Sequence, residues 1–296
     1  MENVHQLKVF TAVAETLSFT RAAERLFLTQ SAVSHQIANL ERDLGCALLE
    51  RQGRAVTLTP AGRTLVQQAR RVFAAITDAA DATRHAAHPR RGRLRIGATS
   101  TACQYIIPEA LREFRECFPE YTLAITPGDS PQLQEHLLAG SIDLAIMIRG
   151  ERQRKIAYQP LFDDDLQLMV SALHPWAKAG KVDKRRLSDQ PMVLYNRTSA
   201  TSRMVERYFA KLQVPLRDWI ELGDIGAIKE LVKLGLGVSV SAEWVALQEI
   251  AEGSLVFLPL PGGRLKRQWC IAHLANKPPS VAEQTFVGLC QAVVKG

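Results

Sequence analysis

Polar side chains on one face of a predicted helix have the types and the spacing that suit contact with DNA bases. The helix is expected over residues 30–43, where apolar residues recur at helical spacing. Its buried stripe consists of Val33, Ile37, Leu40 and Leu44. Its exposed face consists of Gln30, Ser31, Ser34, His35 and Ala38. Because glutamine, serine and histidine can hydrogen-bond base edges in a major groove, this face predicts a sequence-reading surface; a helical bundle without a ligand is the alternative.

A block of arginines follows this helix and supplies the charge that a nucleic-acid partner needs. Residues 51–95 contain ten arginines and two acids, so the segment carries a net charge of +8 while the other 251 residues sum to −1. Such a block attracts a polyanion, although a solvated helix would also tolerate it. Arg51 and Arg54 lie on either side of Gly53, before a predicted strand over residues 55–58. We therefore expect a two-stranded wing whose arginines bind DNA phosphates.

Two further helices and a turn must position the sequence-reading face. The first helix, over residues 4–17, has an apolar stripe of Leu7, Phe10, Ala14 and Leu17. A second helix is expected over residues 20–26, and a three-residue turn separates it from the third. Thr29 ends that turn as an N-cap and joins the DNA-binding candidates, and Gly45 ends the third helix. This arrangement is typical of a helix-turn-helix.

A long helix is predicted from residue 60 to about residue 87. Thr59 and Pro60 supply an N-cap and a first-turn proline, and the run Pro89-Arg-Arg-Gly92 breaks the helix. Small or apolar residues alternate steps of four and three along it, at Leu65, Ala69, Val72, Ile76, Ala79 and Thr83. A seam of this length favours pairing with a second copy of the chain. Packing against the chain's own body is the alternative.

Strands and helices alternate through the remaining two-thirds of the chain. Strands are expected over residues 94–98, 122–126, 142–148, 166–171, 192–195, 219–222, 238–241 and 269–274. Helices are expected over residues 109–117, 131–139, 200–212, 226–234 and 280–294. The alternation predicts two α/β halves with parallel strands and a cleft between the halves. In such sheets ligands bind at the carboxyl ends of the strands.

Hydroxyl groups are concentrated at those strand ends, beside predicted helix starts. With three nearby arginines they suit a small anion such as a carboxylate, although each Ser or Thr could instead cap its own helix. The arginines are Arg149, Arg197 and Arg203. The candidates for effector binding are Thr99, Ser100, Thr101, Cys103, Ser130, Arg149, Thr198, Ser202 and Asp224. Cys103 lies close to a helix start, a position that would lower its pKa.

Motif residues are dense over residues 4–64 and sparser beyond. The dense series comprises Phe10, Ser18-Phe-Thr-Arg-Ala-Ala23, Leu26, Thr29-Gln-Ser-Ala-Val-Ser34, Ile37, Leu40-Glu41, Leu44-Gly45, Leu48, Arg51 and Leu58-Thr-Pro-Ala-Gly62. The sparse series comprises Gly92-Arg-Leu-Arg-Ile-Gly97, Phe114 to Pro119, Gly140-Ser-Ile-Asp-Leu-Ala145, His174-Pro175 and Leu234-Gly-Leu-Gly-Val238. Together they resemble the LysR-type transcriptional regulators. Two positions depart from that family: His35 stands where many members carry arginine, and Leu49 replaces the usual phenylalanine.

The motifs and the resemblance together imply a two-part α/β protein. A winged helix-turn-helix domain is expected over residues 1–59, a linker and dimerisation helix over 60–91, and an effector-binding domain over 92–296. The last resembles periplasmic binding proteins, with lobe I over about 92–161 and 268–296 and lobe II over about 162–267. Such a regulator binds a dyad-symmetric site on double-stranded DNA as a homodimer or homotetramer. A small anionic metabolite between the lobes controls it, and RNA polymerase is a further candidate partner.

Other classes of protein are disfavoured. No run of eighteen apolar residues exists and no basic region precedes an apolar run at the N-terminus, so neither a membrane span nor a secretion signal is expected. Five cysteines without a CxxC indicate a reducing cytoplasm rather than a disulfide framework or a zinc finger. The chain has no GxSxG, GxxxxGKS/T, GxGxxG or HExxH, so we expect no enzyme, no cofactor and no metal. A two-lobed solute-binding protein without a DNA-binding role remains the alternative.

Overall fold

The chain folds into two units. The computed structural model describes residues 2–52, 55–87, 91–216 and 219–295. One unit comprises Met1–Thr83 with Ala139–Ser141, and the other Arg84–Leu138 with Ile142–Gly296. Among the helices in the described ranges, none has both the length and the apolar content that crossing a membrane requires.

The first unit has three helices, a two-stranded wing and a long helix. The helices are α1 Glu2–Thr16, α2 Phe19–Leu26, α3 Gln30–Leu44 and α4 Pro60–Ala87. The wing pairs β1 Leu49–Gln52 with β2 Ala55–Leu58 in antiparallel register. The common core consists of Val9, Phe10, Ala12, Val13, Phe19, Ala22, Ala23, Val33, Ile37, Leu40, Leu48 and Val66. The predicted helix-turn-helix and wing are therefore confirmed.

Two apolar residues predicted on the buried stripes are exposed instead. Leu17 follows α1 in a left-handed conformation with φ of 49°, and it is 47% exposed. Leu44 is the last residue of α3, directly before Gly45, and it is 48% exposed. Both predictions were wrong because the helix ends there, and the chain turns away before the next apolar position can reach the core.

The long helix α4 begins as the sequence indicates. The Thr59 hydroxyl accepts from the Gly62 amide at 2.9 Å and donates to the Ala47 carbonyl at 2.8 Å. Gly62 lies so close to the Leu48 carbonyl that no side chain would fit there. Along the predicted seam, only the first part packs within the unit: Leu65 is half-buried and Ala69 buried, whereas Val72, Ile76, Ala79 and Thr83 are exposed.

The second unit alternates strands and helices, as predicted. Its strands are β3 Gly92–Ala98, β4 Tyr121–Pro127, β5 Leu144–Ile148, β6 Ile156–Ser171, β7 Met192–Tyr195, β8 Trp219–Leu222, β9 Ser239–Ser241, β10 Leu255–Leu258 and β11 Leu265–Leu274. Its helices are α5 Ser100–Tyr105, α6 Ile107–Cys117, α7 Ser130–Leu138, α8 Pro175–Ala179, α9 Ala200–Lys211, α10 Ile225–Lys233, α11 Leu247–Ala251 and α12 Val281–Val293. Two 3₁₀ segments are Lys184–Asp189 and Glu243–Ala246.

The sheets of this unit are mixed rather than parallel. β3 runs parallel to β4 and β5, and β7 and β8 form a separate parallel pair. β11, however, runs antiparallel to both β5 and β6, and β9 and β10 join β6 in antiparallel register. The expectation of parallel strands is confirmed for β3–β5 and for β7 and β8, and it is wrong for β6, β9, β10 and β11, because β6 and β11 pair with each other along their length as one antiparallel ribbon.

Four apolar clusters, two in each lobe, form the cores of this unit. Lobe I, formed by β3–β5, α5–α7 and α12, has one cluster around Phe114 and Phe286 and another around Leu133 and Leu137 of α7. Lobe II, formed by β7–β10 and α8–α11, has one cluster around Val170, Phe209 and Val240 and another around Ile225 and Val232 of α10. β6 and β11 contribute to both lobes, and their register is irregular between Trp269 and Cys270.

A buried ion pair joins β6 to β11 close to that irregularity. Asp164 and Arg267 meet at 2.5 Å, and their side chains are 5% and 3% exposed. The indole N–H groups of Trp244 and Trp269 donate to the same carboxylate at 2.8 and 3.0 Å. Burial alone would raise the pKa of Asp164, but the hydrogen bonds and charge of Arg267 outweigh it and hold the pKa below its usual value.

Candidate functional site

The predicted sequence-reading face lies at the surface of α3. The Thr29 hydroxyl caps this helix by accepting from the Ala32 amide at 3.2 Å, and it meets the Ser31 hydroxyl at 3.0 Å. Gln30, Ser31, His35 and Ala38 are exposed, and Ser34 is half-buried. The face therefore offers hydroxyl, amide and imidazole groups to a partner from the first two turns of the helix.

The wing follows α3 with a defined register. Arg51 lies in β1 opposite Val56, and the Leu49–Leu58 pair closes the base of the wing. Arg54, the second arginine expected to bind phosphate, lies outside the described residues together with Gly53. The paired strands fix the backbone position of Arg51.

The short helix α5, which precedes the helix predicted over residues 109–117, lies in lobe I but bonds to lobe II. The Ser100 hydroxyl donates to the Gly223 carbonyl at 2.9 Å. The buried Thr101 hydroxyl lies 3.0 Å from the Tyr195 hydroxyl. Burial raises the pKa of Tyr195 to about 12, so this phenol stays neutral and can exchange hydrogen bonds with Thr101. Two of the predicted effector-binding hydroxyls thus join the lobes directly.

Two more side chains of α5 reach lobe II. The Gln104 amide donates to Asp224, whose other oxygen caps α10 by accepting from the Ala227 amide at 3.0 Å. Tyr105 donates to the Val245 carbonyl at 2.7 Å. It also accepts from the buried ammonium group of Lys229 at 2.9 Å. Four of the six residues of α5 therefore hydrogen-bond across the lobes.

A further bridge lies beside the start of α9. The Thr198 hydroxyl donates to the Asp129 carboxylate of lobe I at 3.0 Å. Arg203 donates to the Thr198 carbonyl at 2.8 Å, which holds this loop against the first turns of α9. Thr198 is exposed, so the bridge is accessible to a small molecule that enters from solvent.

Three of the predicted effector-binding hydroxyls are bonded within their own lobe. Thr99 caps α5 by accepting from an amide of its first turn at 3.3 Å. Ser130 accepts from the Ile148 amide at 3.1 Å, and Ser202 donates to the Tyr195 carbonyl at 2.6 Å. These bonds are the capping and packing roles that the sequence left open as the alternative.

The arginines expected near an anion differ in how their charge is used. Arg197 pairs with Glu221 at 2.7 Å, and its guanidinium lies 4.4 Å from the ring centroid of Trp219. Its charge is therefore balanced within lobe II. Arg149 donates to the neutral Gln268 side chain at 2.6 Å, so its charge remains available to an anionic ligand.

Cys103 is less acidic than its position suggested. Its sulfur lies 3.9 Å from the Ala98 carbonyl oxygen, and burial raises the pKa of the thiol. The expected lowering of the pKa was wrong because desolvation of the thiolate decides the direction of the shift. The thiol form therefore dominates at neutral pH, and it is a weak nucleophile.

Several bridging residues are absent from the predicted set. Asp129 adjoins Ser130 at a strand end, and Tyr195 ends β7, so position alone could have found both. Gln104 and Tyr105 lie in α5, so they could be included in the predicted site only if the bounds of that helix were known. Lys229 lies on the buried side of α10, where the sequence pattern favours an apolar residue and does not predict a bridge.

Two family models match the chain. The model for the bacterial regulatory helix-turn-helix protein, lysR family, matches residues 4–63. The model for the LysR substrate binding domain matches residues 87–295. Together they cover both units of the structure.

Similar proteins share almost the whole length of the chain. The HTH-type transcriptional activator CmpR of Synechocystis sp. is 31% identical, over 96% of this chain and 93% of its own. The HTH-type transcriptional regulator CfxR of Cupriavidus necator is 32% identical, over 95% and 89%. The structure of full-length CbnR complexed with its target DNA has a TM-score of 0.66 at 27% identity, over 98% and 99%.

Proposed function

The chain belongs to the LysR family of bacterial regulatory proteins, and from that membership we propose that a small effector bound between its two lobes controls its action on DNA. One observation carries the proposal: a single chain joins an exposed polar face on α3 to two lobes that meet through the side chains of α5. Its relatives CmpR and CfxR regulate transcription, and CbnR binds a target DNA. A solute-binding protein without a DNA-binding role is set aside, because the helix-turn-helix model matches residues 4–63.

The first test is a mobility-shift assay with the genomic DNA upstream of the gene for this protein. We expect a retarded complex at low protein concentration, and competition by unrelated DNA only at large excess. Retardation that unrelated DNA removes equally well would contradict a specific regulator.

The recognition helix and the wing have separate roles in this proposal. Thr29 and the face of α3 contact bases, whereas Arg51 and Arg54 contact phosphates and add affinity without sequence preference. The dyad-symmetric site matches a homodimer formed through α4, and the family resemblance extends this to a homotetramer. Activation would bring RNA polymerase to the promoter as a partner. Because bacterial DNA lies in the cytoplasm, the protein acts there, and it regulates transcription rather than catalysing a reaction.

Alanine at Gln30 or Ser34 is expected to weaken binding to the specific site by about 1–3 kcal/mol, because each loses a hydrogen bond to a base. Binding to random DNA should hardly change. Fluorescence anisotropy with both DNA types measures the difference, and Gln67→Glu on the far side of α4 is the control. Equal losses on both DNA types would contradict base reading.

The effector proposed here is a small anionic metabolite between the lobes. Its anionic group is contacted by the bridging hydroxyls Ser100, Thr101 and Thr198 and by Arg149, whereas Asp224, which can only accept, would contact a hydroxyl or amine of the metabolite. The hydroxyls can donate to a carboxylate, and the Arg149 charge is met only by a neutral amide among its described contacts. Thermal-shift screening against small carboxylates and phosphates should identify the ligand, since a bound ligand raises the unfolding temperature.

Thr198→Val and Ser100→Ala are expected to lower effector affinity by about 1–3 kcal/mol each, because a polar atom of the ligand is left unpaired. DNA binding without effector should stay near the wild-type value. Thr285→Val is the matched control, since its hydroxyl bonds the Val281 carbonyl within α12. Calorimetric titration with the identified effector measures the change. Normal effector affinity in both variants would show that the ligand binds elsewhere.

A further inference from the structure

Three side chains form a chain of hydrogen bonds along the exposed surface of α3. The His35 ring nitrogen Nε2 lies 3.2 Å from the Asn39 amide nitrogen Nδ2. Arg42 in turn donates from Nη2 to the Asn39 oxygen Oδ1 at 2.8 Å. The residues are four and three positions apart, so they lie on one stripe of the helix. None of the bonds involves the helix backbone, so the helix itself does not need them.

The chemistry of the three groups fixes the direction of every bond in this chain. A guanidinium can only donate, so the Asn39 atom that meets Arg42 must be the carbonyl oxygen. The Asn39 NH₂ group therefore faces His35, and because an amide NH₂ can only donate, Nε2 of His35 must accept. An imidazole accepts at Nε2 only when its proton is on Nδ1.

Only Nδ1 of His35 is then available to a DNA partner. Among the described residues, that nitrogen has no hydrogen-bond partner. It carries a proton, so the group it recognises must be an acceptor. Acceptors on base edges of the major groove are purine N7, guanine O6 and thymine O4.

We propose that Asn39 and Arg42 are positioning residues that hold His35 as an Nδ1–H donor for a purine acceptor, N7 or O6, in the operator. The inference rests on the proposed function, since it takes α3 as the recognition helix. It adds a defined donor on the exposed face of α3, and it assigns a role to two residues outside the predicted site. A purine fits better than thymine, because every base pair contains one purine and therefore one N7 acceptor. Guanine adds the acceptor O6 beside its N7.

The test uses the full-length protein and DNA that the wild type selects from a random pool. Each purine of the selected site is replaced in turn by an analogue that has carbon at N7 or lacks the O6 oxygen. At one position per half-site, we expect the wild type to lose about tenfold in affinity when the acceptor is removed. His35→Ala should bind the natural and the altered duplex equally.

The positioning role is tested by the ratio of the affinity for the natural duplex to the affinity for the altered duplex, measured for each variant. The two duplexes have the same phosphates, so any change in phosphate contacts cancels in this ratio. Asn39→Ala and Arg42→Met should reduce the ratio to about twofold, because the imidazole is then free to change tautomer and orientation. Arg42→Lys should keep the full ratio, since an ammonium also donates. Arg25→Met is the matched control, because Arg25 pairs with Glu15 away from this chain of bonds.

A full ratio in Asn39→Ala or in His35→Ala would overturn the proposal, as would a wild type that discriminates at no purine. If methylphosphonate substitution of one phosphate alone reproduces the effect of His35→Ala, the donor binds the backbone and the purine assignment is wrong. Failure of the proposed function is distinguishable, because a protein that does not bind DNA specifically would enrich no sequence from the pool.

Discussion

Asp164→Ala is expected to destabilise the second unit by about 3–5 kcal/mol, because the Arg267 guanidinium is left buried without its counter-ion. The pair lies at 2.5 Å with both side chains almost fully buried. The indole N–H groups of Trp244 and Trp269 lose their acceptor in the same step.

Urea unfolding followed by tryptophan fluorescence measures this loss. All four tryptophans of the chain, at positions 176, 219, 244 and 269, lie in the second unit, so the signal reports on it alone. Asp165→Ala is a matched control on the same strand, because Asp165 pairs with the exposed Arg264. Solvent screens an exposed pair, so its loss should change the stability little. Equal effects of the two substitutions would show that the buried pair is not the source of the stability.

The same ion pair gives a pH dependence of known sign. Arg267 holds the pKa of Asp164 below the unfolded value even though burial opposes it. The contribution of the ion pair to the free energy of unfolding is therefore complete above the pKa of about 4 that an unfolded aspartate has. This contribution is lost as the pH falls through the lower pKa of the folded state. In acid, the difference in unfolding free energy between wild type and Asp164→Ala should shrink.

Glutamate at both Val72 and Ile76 is expected to dissociate the oligomer. These residues are 38% and 50% exposed in one chain and lie on the predicted seam of α4. In a symmetric pair of α4 helices, the two glutamates of one chain would face the two glutamates of the other. The free energy of burying these four like charges would exceed the stabilisation that the apolar contact provides. A monomer holds one half-site, so operator affinity should fall by a factor on the order of a hundred through lost multivalency.

Sedimentation velocity and anisotropy with operator DNA test this prediction together. Gln67→Glu is the control, because it adds a charge at an exposed position of α4 on the side opposite the seam. Tryptophan fluorescence should show that the second unit of the double variant stays folded. An intact oligomer in the double variant would mean that α4 does not pair through this stripe.

The first unit could be predicted closely from its sequence because its signals are local. Ser18 and Thr29 cap the helices that follow them, and Gly45 ends α3 in a left-handed conformation. Each of these residues acts within one turn of the position it marks. The exceptions, Leu17 and Leu44, lie at helix ends, where periodicity does not indicate on which residue the helix stops.

The second unit was harder to predict because its decisive partners are distant in sequence. The acids at residues 163–165 precede the strand predicted over residues 166–171, yet they lie in β6, where Arg264, Arg267 and Gln268, about a hundred positions later, bind them. α5 has only six residues, too few for a visible apolar period. The hydroxyls Ser100 and Thr198 could be found from their strand ends, but their partners Gly223 and Asp129 depend on how the two lobes meet.

In the proposed function, the bonds of α5 help to set how much effector the regulator needs before it responds. An effector that enters between the lobes would replace contacts such as Gln104 to Asp224. Its apparent dissociation constant would then equal the intrinsic value divided by the fraction of molecules already open. Tyr105 bonds Val245 and Lys229 of lobe II without lying among the proposed ligand contacts, so a change at Tyr105 would alter that fraction alone. The response threshold of such a sensor could therefore evolve separately from its chemical selectivity.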